Sequence, residues 1–407
     1  MTRFPPLVEI PPTAGLPAQW SDLLALSGNL AAGLAQQLSI PLPALTCSGT
    51  AALIVALRVL QQRLPGRTAL IVPAYTCPLV ALAVHFCPPL RVVPCDLAPG
   101  GISLDAGQLA ELCDEQTLAV VVTHLAGRVA DVDNVRSITA KAGAAIIEDA
   151  AQAMGALDEG RSVGLKGDIA FFSMALGKGL TTAEGGVLFS SNPELNLALQ
   201  RQCRQDLAFS IGWELKRIAG LWGYTVFYRP HGLYYVYGKP LRRALANGDM
   251  VAAVGDDFSA QAIPLHTLGR YRQRVAAAAL ARLPAFLRQG RERALRRVDL
   301  LRQLPGVGVV ADSPDKQGTW PFILLLMPDN KTRDAAMESL WTSGLGVTRL
   351  FIHTLAGYPA VTPFLQPKLL SPNAQALATR GLSITNSPWL SDDMFGRVLA
   401  QLRAALG

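Results

Sequence analysis

The sequence predicts an α/β fold: a large domain with a mainly parallel sheet covered by helices, plus a smaller C-terminal α/β domain. Short apolar runs alternate with helical patterns between residues 50 and 205, which is typical of parallel strands joined by helical crossovers. The alternation returns after about residue 300. Half of the 407 residues are hydrophobic and only 16% are charged, so the chain can bury a large core and disorder is excluded.

The elements of the large domain follow from hydrophobic periodicity. Apolar residues recurring along 50–64 predict a helix that Ser48 or Thr50 caps. Buried strands are predicted at 68–72, 90–95, 118–122, 144–147, 168–173 and 186–190. Helices are predicted at 78–87, 104–113, 132–142 and 192–205. Ligands bind beyond the carboxyl ends of strands in such sheets, so side chains that directly follow these strands are candidate site residues.

The C-terminal part alternates in the same way after a long helical region. That region is predicted over 268–303, with an interruption at Pro284. Beyond it we predict strands at 320–327 and 346–352 and helices at 331–343, 372–381 and 391–405. We therefore divide the chain into a large domain over 1–265, a linking helical region over 266–303 and a small domain over 304–407.

The net charge of +7 admits anionic partners. The densest basic stretch, Arg288 to Arg302, has the spacing of a helix with solvated arginines, among them Arg297, on one face. Leu295, Val298 and Leu301 would form its other face. The stretch has no nucleic-acid-binding motif and no interleaved aromatic residues, so we expect no nucleic-acid partner.

Cysteine and histidine usage indicates an intracellular protein without a metal. The six cysteines form no C-x-x-C pair, which is typical of reduced, buried cysteines. The five histidines are scattered, so we expect no metal site. Residues 1–6 lack the apolar stretch of a signal peptide, and we find no window of 18 uncharged apolar residues. We expect a cytoplasmic protein.

A lysine, an acid and a helix start together predict a pyridoxal phosphate site. Lys178 stands in a loop of small residues, Asp149 ends an apolar run, and Gly49 and Thr50 open the helix after Ser48. The lysine would form the Schiff base and later carry a proton. The acid would keep the pyridinium protonated. The helix start would hold the phosphate through backbone N–H groups.

Each of these residues alone has an ordinary structural explanation. Asp149 could cap a helix, Lys178 could be a surface lysine in a turn, and Gly49 with Thr50 could form a plain capping turn. Gln152 could reach the phenolic oxygen of the cofactor or be a polar residue on the helix that begins there. The combination in this order, rather than any single residue, predicts the cofactor.

With these motifs the chain resembles the DegT/StrS family of fold-type I pyridoxal phosphate enzymes, the sugar aminotransferases. The likeness covers nearly the whole chain apart from about 207–262. The segments that carry it are 48–53, 72–76, 124–131, 148–156, 167–186 and 387–391. The resemblance implies that Lys178 binds the cofactor covalently, Asp149 pairs with the pyridinium and Gln152 lies near the ring oxygen. It implies phosphate binding by Ser173, Gly49 and Thr50.

The resemblance also implies an activity. Family members typically transfer an amino group from glutamate to a nucleotide-linked keto-sugar, as homodimers with shared active sites. Such products serve polysaccharide or glycoconjugate biosynthesis. Relatives that carry histidine in place of the lysine perform dehydration, so Lys178 favours transamination.

The chain departs from the family pattern at two candidate cofactor contacts. Cys77 stands where the family usually has a large aromatic residue that stacks on the cofactor ring. Either Tyr75 substitutes for that residue, or the ring is held by less apolar area. Arg270 stands where the family usually has an asparagine that reaches the phosphate of the partner subunit. We expect Arg270 to bind that phosphate as a cation. Arg349 and His353, in and after the strand predicted at 346–352, are candidate substrate contacts.

The segment 207–262 is longer and more apolar than the family norm. Its first part, 207–241, holds five of the eight tyrosines together with other aromatic residues and interspersed lysines and arginines. This composition is typical of a segment that contacts a membrane surface and also of a dimer interface or a substrate lid. Two alternatives therefore stay open: an aminotransferase acting on a lipid-linked or other keto acceptor at the inner face of the membrane, or a non-catalytic scaffold. Lys178, Asp149 and Ser173 together argue against the scaffold.

Overall fold

A computed structural model describes residues 8–366 and 370–407, and the N-terminal stretch 1–6 considered above lies outside these residues. The centre of the fold is a sheet of seven strands. Their spatial order is Ala44–Thr46, Gly186–Phe189, Ile169–Ser173, Ala145–Asp149, Thr117–Thr123, Ala69–Pro73 and Arg91–Cys95. Gly186–Phe189 pairs antiparallel with both of its neighbours, and the remaining pairs are parallel. The prediction of a mainly parallel sheet is confirmed.

Helices cover both faces of this sheet, as the nearly continuous burial of its strands requires. The α-helices as far as residue 206 are Trp20–Leu23, Leu30–Leu38, Gly49–Arg63, Pro78–Leu82, Ala106–Leu112, Val132–Ala142 and Pro193–Asp206. The helix predicted at 78–87 continues after Leu82 as a 3-10 turn, Ala83–Phe86. Ser48 is the residue that caps the Gly49–Arg63 helix, because its Oγ accepts the N–H of Ala51 at 3.0 Å.

The segment 207–262 is helical. Its elements are the α-helices Ile211–Phe227, Pro230–Leu233, Lys239–Ala246 and Met250–Val254, a π-helical turn at Tyr234–Gly238 and a 3-10 turn at Ala260–Ala262. Tyr228 fastens the segment to the N-terminal region, since its hydroxyl donates to the carbonyl of Thr13 at 2.6 Å. The rings of Tyr224 and Tyr228 stack with centroids 4.2 Å apart. None of the described helices is both long enough and apolar enough to cross a bilayer.

Two consecutive helices, Arg270–Leu280 and Leu283–Leu301, occupy the region predicted as one interrupted helix. The break falls at 281–282, and Pro284 lies in the first turn of the second helix, where its missing N–H is not needed. Our assignment of the faces of this second helix is partly wrong. Arg297 is buried, donating to the carbonyl of Leu390 and lying over the ring of Phe395, whereas Leu295 is exposed.

The small domain contains a four-stranded antiparallel sheet. Its spatial order is Gly308–Val309, Phe322–Leu326, Gly381–Thr385 and Val347–Thr348. The central strand Gly381–Thr385 escaped prediction, and the strand predicted at 346–352 is confined to two residues. The helices Asn330–Leu340, Pro372–Arg380 and Asp392–Leu406 complete the domain.

The core of the small domain draws on distant parts of the chain. Ile323 and Ile384 lie in one buried cluster with Ile10, Leu241 and Ala253. The N-terminal stretch around Ile10 and the segment 207–262 therefore both pack against the C-terminal sheet. The domain limits at 265 and 303 stay a prediction.

Gly186 fixes the distance between the reversed strand and the first strand of the large sheet. A Cβ atom at Gly186 would lie 2.3 Å from both the carbonyl oxygen of Ser48 and the Oγ1 of Thr46. The Ser48 atom belongs to the backbone and cannot rotate away, so any larger residue must push the two strands apart.

We expect Gly186→Ala to lower the free energy of unfolding by about 1–3 kcal/mol, as overpacking of a well-packed core does. Gly223→Ala, which places its methyl group in open space on the Ile211–Phe227 helix, is the matched control. It should leave stability unchanged or raise it by up to about 1 kcal/mol, because alanine favours a helix over glycine. Urea unfolding of both variants tests this, and equal stability of the two would contradict it.

Candidate active site

A cavity of about 450 Å³ lies at the carboxyl edge of the large sheet. Five strands that run in the same direction end there, and the chain immediately after each of them contributes to the wall. The predicted site residues that line this cavity are Gly49, Thr50, Asp149, Gln152, Ser173 and Lys178. The structure therefore brings together, in one cavity, six residues that are spread over 130 positions of the sequence.

The start of the Gly49–Arg63 helix forms one end of the cavity. The Ser48 side chain accepts the N–H of Ala51, and the first-turn N–H groups of Gly49 and Thr50 have no carbonyl of their own helix to bind. A Cβ atom at Gly49 would lie 3.3 Å from the Cβ of Ser173. Glycine therefore lets the Ser173 hydroxyl approach the helix start, where the dipole favours an anion.

Asp149 lies at the end of its strand and is 4% exposed. Its Oδ1 accepts the N–H of Ala151 at 3.0 Å. Burial raises the pKa of the Asp149 carboxyl, while the Ala151 hydrogen bond and the charge of Lys178 act in the opposite direction. A buried carboxylate with one hydrogen bond retains an oxygen that can receive a cationic group from a ligand.

His124 and Glu148 form a buried pair next to Asp149. The Nδ1 of His124 accepts the N–H of Ala130 at 3.1 Å, so its Nε2 carries the proton and donates to Glu148 at 2.9 Å. Burial would raise the pKa of Glu148, but the hydrogen bonds that His124, Gly164 and Gly167 donate to it outweigh burial and lower that pKa. His124 is thus held in one orientation on the cavity wall. Our sequence analysis assigned it no role.

Lys178 is half-buried in the loop between the Ile169–Ser173 and Gly186–Phe189 strands. The preceding Gly177 has a φ of +76°, which glycine adopts without strain, and its carbonyl accepts the Thr13 hydroxyl at 2.9 Å. Burial of the Lys178 amine lowers its pKa, opposed by Cys77 and Asp149. A lowered pKa leaves more of the amine neutral and therefore nucleophilic.

Arg272 fixes the far end of the Lys178 loop. It is fully buried, and its guanidinium donates to the carbonyls of Thr182, at 3.0 Å, and Glu184. The same group makes a two-pronged ion pair with Glu214 on the Ile211–Phe227 helix, with Nε 2.9 Å from Oε2. Glu214 also accepts the N–H of Gly269 at 2.9 Å. One ion pair therefore joins the lysine loop to the segment 207–262.

Three predicted contacts lie elsewhere. Tyr75 is 2% exposed in the core, where its hydroxyl bonds to the backbone of Phe351, so the expectation that it substitutes as the stacking ring is wrong. Arg349 is turned onto the carbonyls of Ile352 and Ala378, at 2.9 and 2.8 Å. His353 is exposed, with its ring edge-on to that of a neighbouring tyrosine. Neither Arg349 nor His353 lines this cavity, and their roles as substrate contacts stay predictions.

Arg270 begins the Arg270–Leu280 helix and is exposed. The family resemblance assigns it to the cavity of a second subunit rather than to that of its own chain. Its role as a phosphate ligand stays a prediction.

Further residues of the cavity wall were not predicted as contacts. Cys77 and Thr123 follow two of the parallel strands, a position that could have singled them out. Asp256 and Phe258 come from the segment 207–262. The Oδ2 of Asp256 accepts the hydroxyl of Tyr358 at 2.5 Å. Sequence patterns could not find Asp256, because its partner is about a hundred residues away in the chain.

The DegT/DnrJ/EryC1/StrS aminotransferase family model matches residues 26–208 and 272–403, which is more than half of the chain. The chain belongs to this family. Its members are pyridoxal phosphate-dependent transaminases. The family model leaves out residues 209–271, in agreement with the expectation that the segment 207–262 departs from the family norm.

Individual relatives are similar over different lengths of the chain. The chain is 37% identical to protein MosB of Rhizobium meliloti over 39% of its own length and 31% of that protein. It is 25% identical to a dTDP-4-dehydro-2,3,6-trideoxy-D-glucose 4-aminotransferase of Saccharopolyspora spinosa, over 85% of this chain and 79% of the relative. Among solved structures, the aminotransferase TlmJ of Streptoalloteichus hindustanus superposes with a TM-score of 0.74 at 21% identity, covering 99% of both chains. This superposition supports the fold.

The cavity fits the family cofactor. Its volume is in the range of small-ligand sites, and its wall offers an amine, a buried carboxylate and a helix start at separate points. The close approach of Gly49 and Ser173 forms an anion cradle that a larger residue at position 49 would fill. Cys77 is the departure, since a thiol covers less of a ring than an aromatic side chain does.

We expect Arg272→Met to lower the free energy of unfolding by about 3–5 kcal/mol, because it leaves Glu214 buried without its partner. Arg288→Met, at an exposed position of the Leu283–Leu301 helix, should change it by less than about 0.5 kcal/mol. Chemical denaturation of the two variants compares them. A loss no larger in Arg272→Met than in Arg288→Met would show that the ion pair is dispensable.

Removal of the Lys178 amine should stabilise the cofactor-free protein in a pH-dependent way. The pKa of Lys178 is lower in the fold than in the unfolded chain, so the unfolded state binds more protons and stability rises with pH across the interval between the two values. We expect Lys178→Met to raise the melting temperature at neutral pH. The gain should vanish above the ordinary lysine pKa of about 10.4. Thermal melts of cofactor-free protein across this pH range test the sign, and a gain that grows with pH would refute it.

Proposed function

We propose that this protein is a pyridoxal phosphate-dependent aminotransferase that moves an amino group from an amino acid, glutamate in our expectation, to a keto-sugar. The observation that carries the proposal is the convergence of Lys178, Asp149 and the Gly49 helix start on one cavity. When bound, the cofactor supplies an electron sink for the carbanion formed on the substrate. The products would serve polysaccharide or glycoconjugate biosynthesis.

Lys178 has two tasks in this proposal. Its lowered pKa provides a neutral amine that binds the cofactor covalently, and the amine set free by the substrate then moves a proton at the substrate carbon. Asp149 would face the ring nitrogen and hold its proton, because a buried carboxylate gains most from an adjacent cation. Gln152 accepts the N–H of Ala126 at 2.7 Å through its side-chain oxygen. This bond orients the amide, and its nitrogen can donate to the ring oxygen.

The phosphate end would be held by the helix start. Gly49 and Thr50 would donate through backbone N–H groups, and Ser173 through its hydroxyl. The cation predicted for this end in a homodimer is Arg270 from the second subunit. This assignment accounts for the position of Arg270, exposed at a helix start outside its own cavity.

A nucleotide-linked keto-sugar is the acceptor that the relative from Saccharopolyspora spinosa favours, since its name specifies a dTDP-linked 4-keto-sugar. A lipid-linked or other keto acceptor at a membrane surface is the second candidate. The observation in its favour is that Val254 and Phe258, from the later part of the segment 207–262, form part of the cavity wall. Asp256 beside them offers a carboxylate to hydroxyl groups of either acceptor.

The absorption spectrum of the protein with pyridoxal phosphate, before and after addition of L-glutamate, tests cofactor, lysine and donor together. We expect a visible band that L-glutamate removes as the amino group passes to the cofactor. Lys178→Ala should lack this response and slow the half-reaction by on the order of 100-fold to 10,000-fold. Lys141→Ala, at an exposed helix end, is the matched control and should respond like the unaltered protein.

A protein that binds no pyridoxal phosphate would contradict the proposal, and so would a Lys178→Ala variant that responds normally. If the band forms and L-glutamate leaves it unchanged while another amino acid removes it, only the choice of donor is wrong. Sugars linked to dTDP, UDP or GDP are then added before L-glutamate. Slower loss of the band with one of them supports the nucleotide-linked acceptor, and no effect of any of them supports the second candidate.

A further inference from the structure

The Ile211–Phe227 helix exposes an apolar stripe. Ile211, Leu215, Ile218, Trp222 and Val226 recur every three or four residues and therefore share one face of the helix. We call these five residues the apolar stripe. Ile211 and Leu215 are 67% and 62% exposed. The buried residues of the helix lie on the face beside the stripe, so an adjacent side of this helix already packs against the core.

The apolar stripe continues into neighbouring elements. Trp20 of the N-terminal helix packs edge-on against Trp222 with ring centroids 6.0 Å apart, and both rings are exposed. Phe209, Phe227 and Tyr235 are exposed large side chains before and after the stripe. Single exposed apolar residues are ordinary, but a contiguous set of this size marks a contact surface.

The part of the chain that carries the apolar stripe is rich in cations. Between residues 207 and 247 the chain has six lysines and arginines and a single carboxylate, Glu214. Glu214 is buried in its ion pair with Arg272. The cations exposed in this segment are Lys216, Arg229, Lys239 and Arg243. Among the described residues no ion pair joins these four to a carboxylate.

This charge pattern favours an anionic membrane over a second copy of the chain as the occupant of the surface. A second copy meeting the first through the same stripe would bring cations against cations. An anionic bilayer would receive the apolar side chains among its acyl chains and the cations among its phosphate groups. We propose that the apolar stripe with its flanking cations docks this protein on an anionic phospholipid membrane.

The docking surface is joined to the active-site cavity. Arg217, on the same helix, forms an ion pair of 2.7 Å with Glu184 on the cavity wall. Val254 and Phe258, later in the same segment, form another part of that wall. A membrane-bound protein would therefore hold its cavity next to the lipid headgroups. The docking proposal does not depend on the transamination reaction and can be tested without an acceptor.

Vesicle sedimentation of the full-length protein loaded with pyridoxal phosphate tests the proposal. The probes are vesicles of phosphatidylcholine alone and of phosphatidylcholine mixed with phosphatidylglycerol. We expect binding to the anionic vesicles that weakens with added salt. The double variant Leu215→Glu/Val226→Glu should bind at least about tenfold more weakly. It replaces two apolar side chains that would enter the bilayer by carboxylates that anionic headgroups repel.

Leu197→Glu is the matched control, because Leu197 is equally exposed on the Pro193–Asp206 helix but lies outside the apolar stripe. It should bind as the unaltered protein does, and thermal melts should show that both variants remain folded. Failure of the unaltered protein to sediment with anionic vesicles would overturn the proposal. So would equal binding by the double variant. Loss of a dimer in the double variant, without vesicle binding by the unaltered protein, would assign the surface to a second copy instead.

Discussion

The buried cation of Arg272 holds together the parts of this protein on which its chemistry depends. A guanidinium without solvent needs acceptors for its N–H groups, and here they come from the Lys178 loop and from Glu214. The carbonyls of Thr182 and Glu184 fix the point at which the Lys178 loop returns to the sheet. Glu214 brings with it a helix that the family model does not include. The buried charge of Arg272 therefore links the lysine loop to the additional helices.

The order of the large sheet explains why much of the site could be predicted from sequence. Strand ends are visible in the sequence because apolar runs stop there, and parallel strands bring their carboxyl ends to a common edge. Asp149 and Ser173 are the last residues of their strands, and Gly49 follows the helix cap Ser48. Their place in the cavity thus required only the correct fold class and the right boundaries. The fully buried strands were predicted well for the same reason.

The failures concern side-chain direction and distant partners. Tyr75 directly precedes residues that line the cavity. Its hydroxyl nevertheless donates to the carbonyl of Phe351, 276 residues later in the chain. The Nη2 of Arg349 donates to two carbonyls that only the folded small domain brings together. The strand Gly381–Thr385 follows a helix without a turn signal, and its pairing partners come from earlier in the chain. Periodicity does not report such long-range choices.

The segment that the family model omits begins and ends at one place. The N–H of Thr267 donates to the carbonyl of Ala208 at 3.2 Å, and Ala208 pairs with His266 in a short parallel bridge. An insertion whose two ends are already neighbours can be gained or lost in evolution without rerouting the rest of the chain. Loss of this insertion would leave the buried guanidinium of Arg272 without the carboxylate of Glu214 that neutralises it. The insertion therefore carries its own means of attachment, because Glu214, the carboxylate that pairs with Arg272, belongs to these helices.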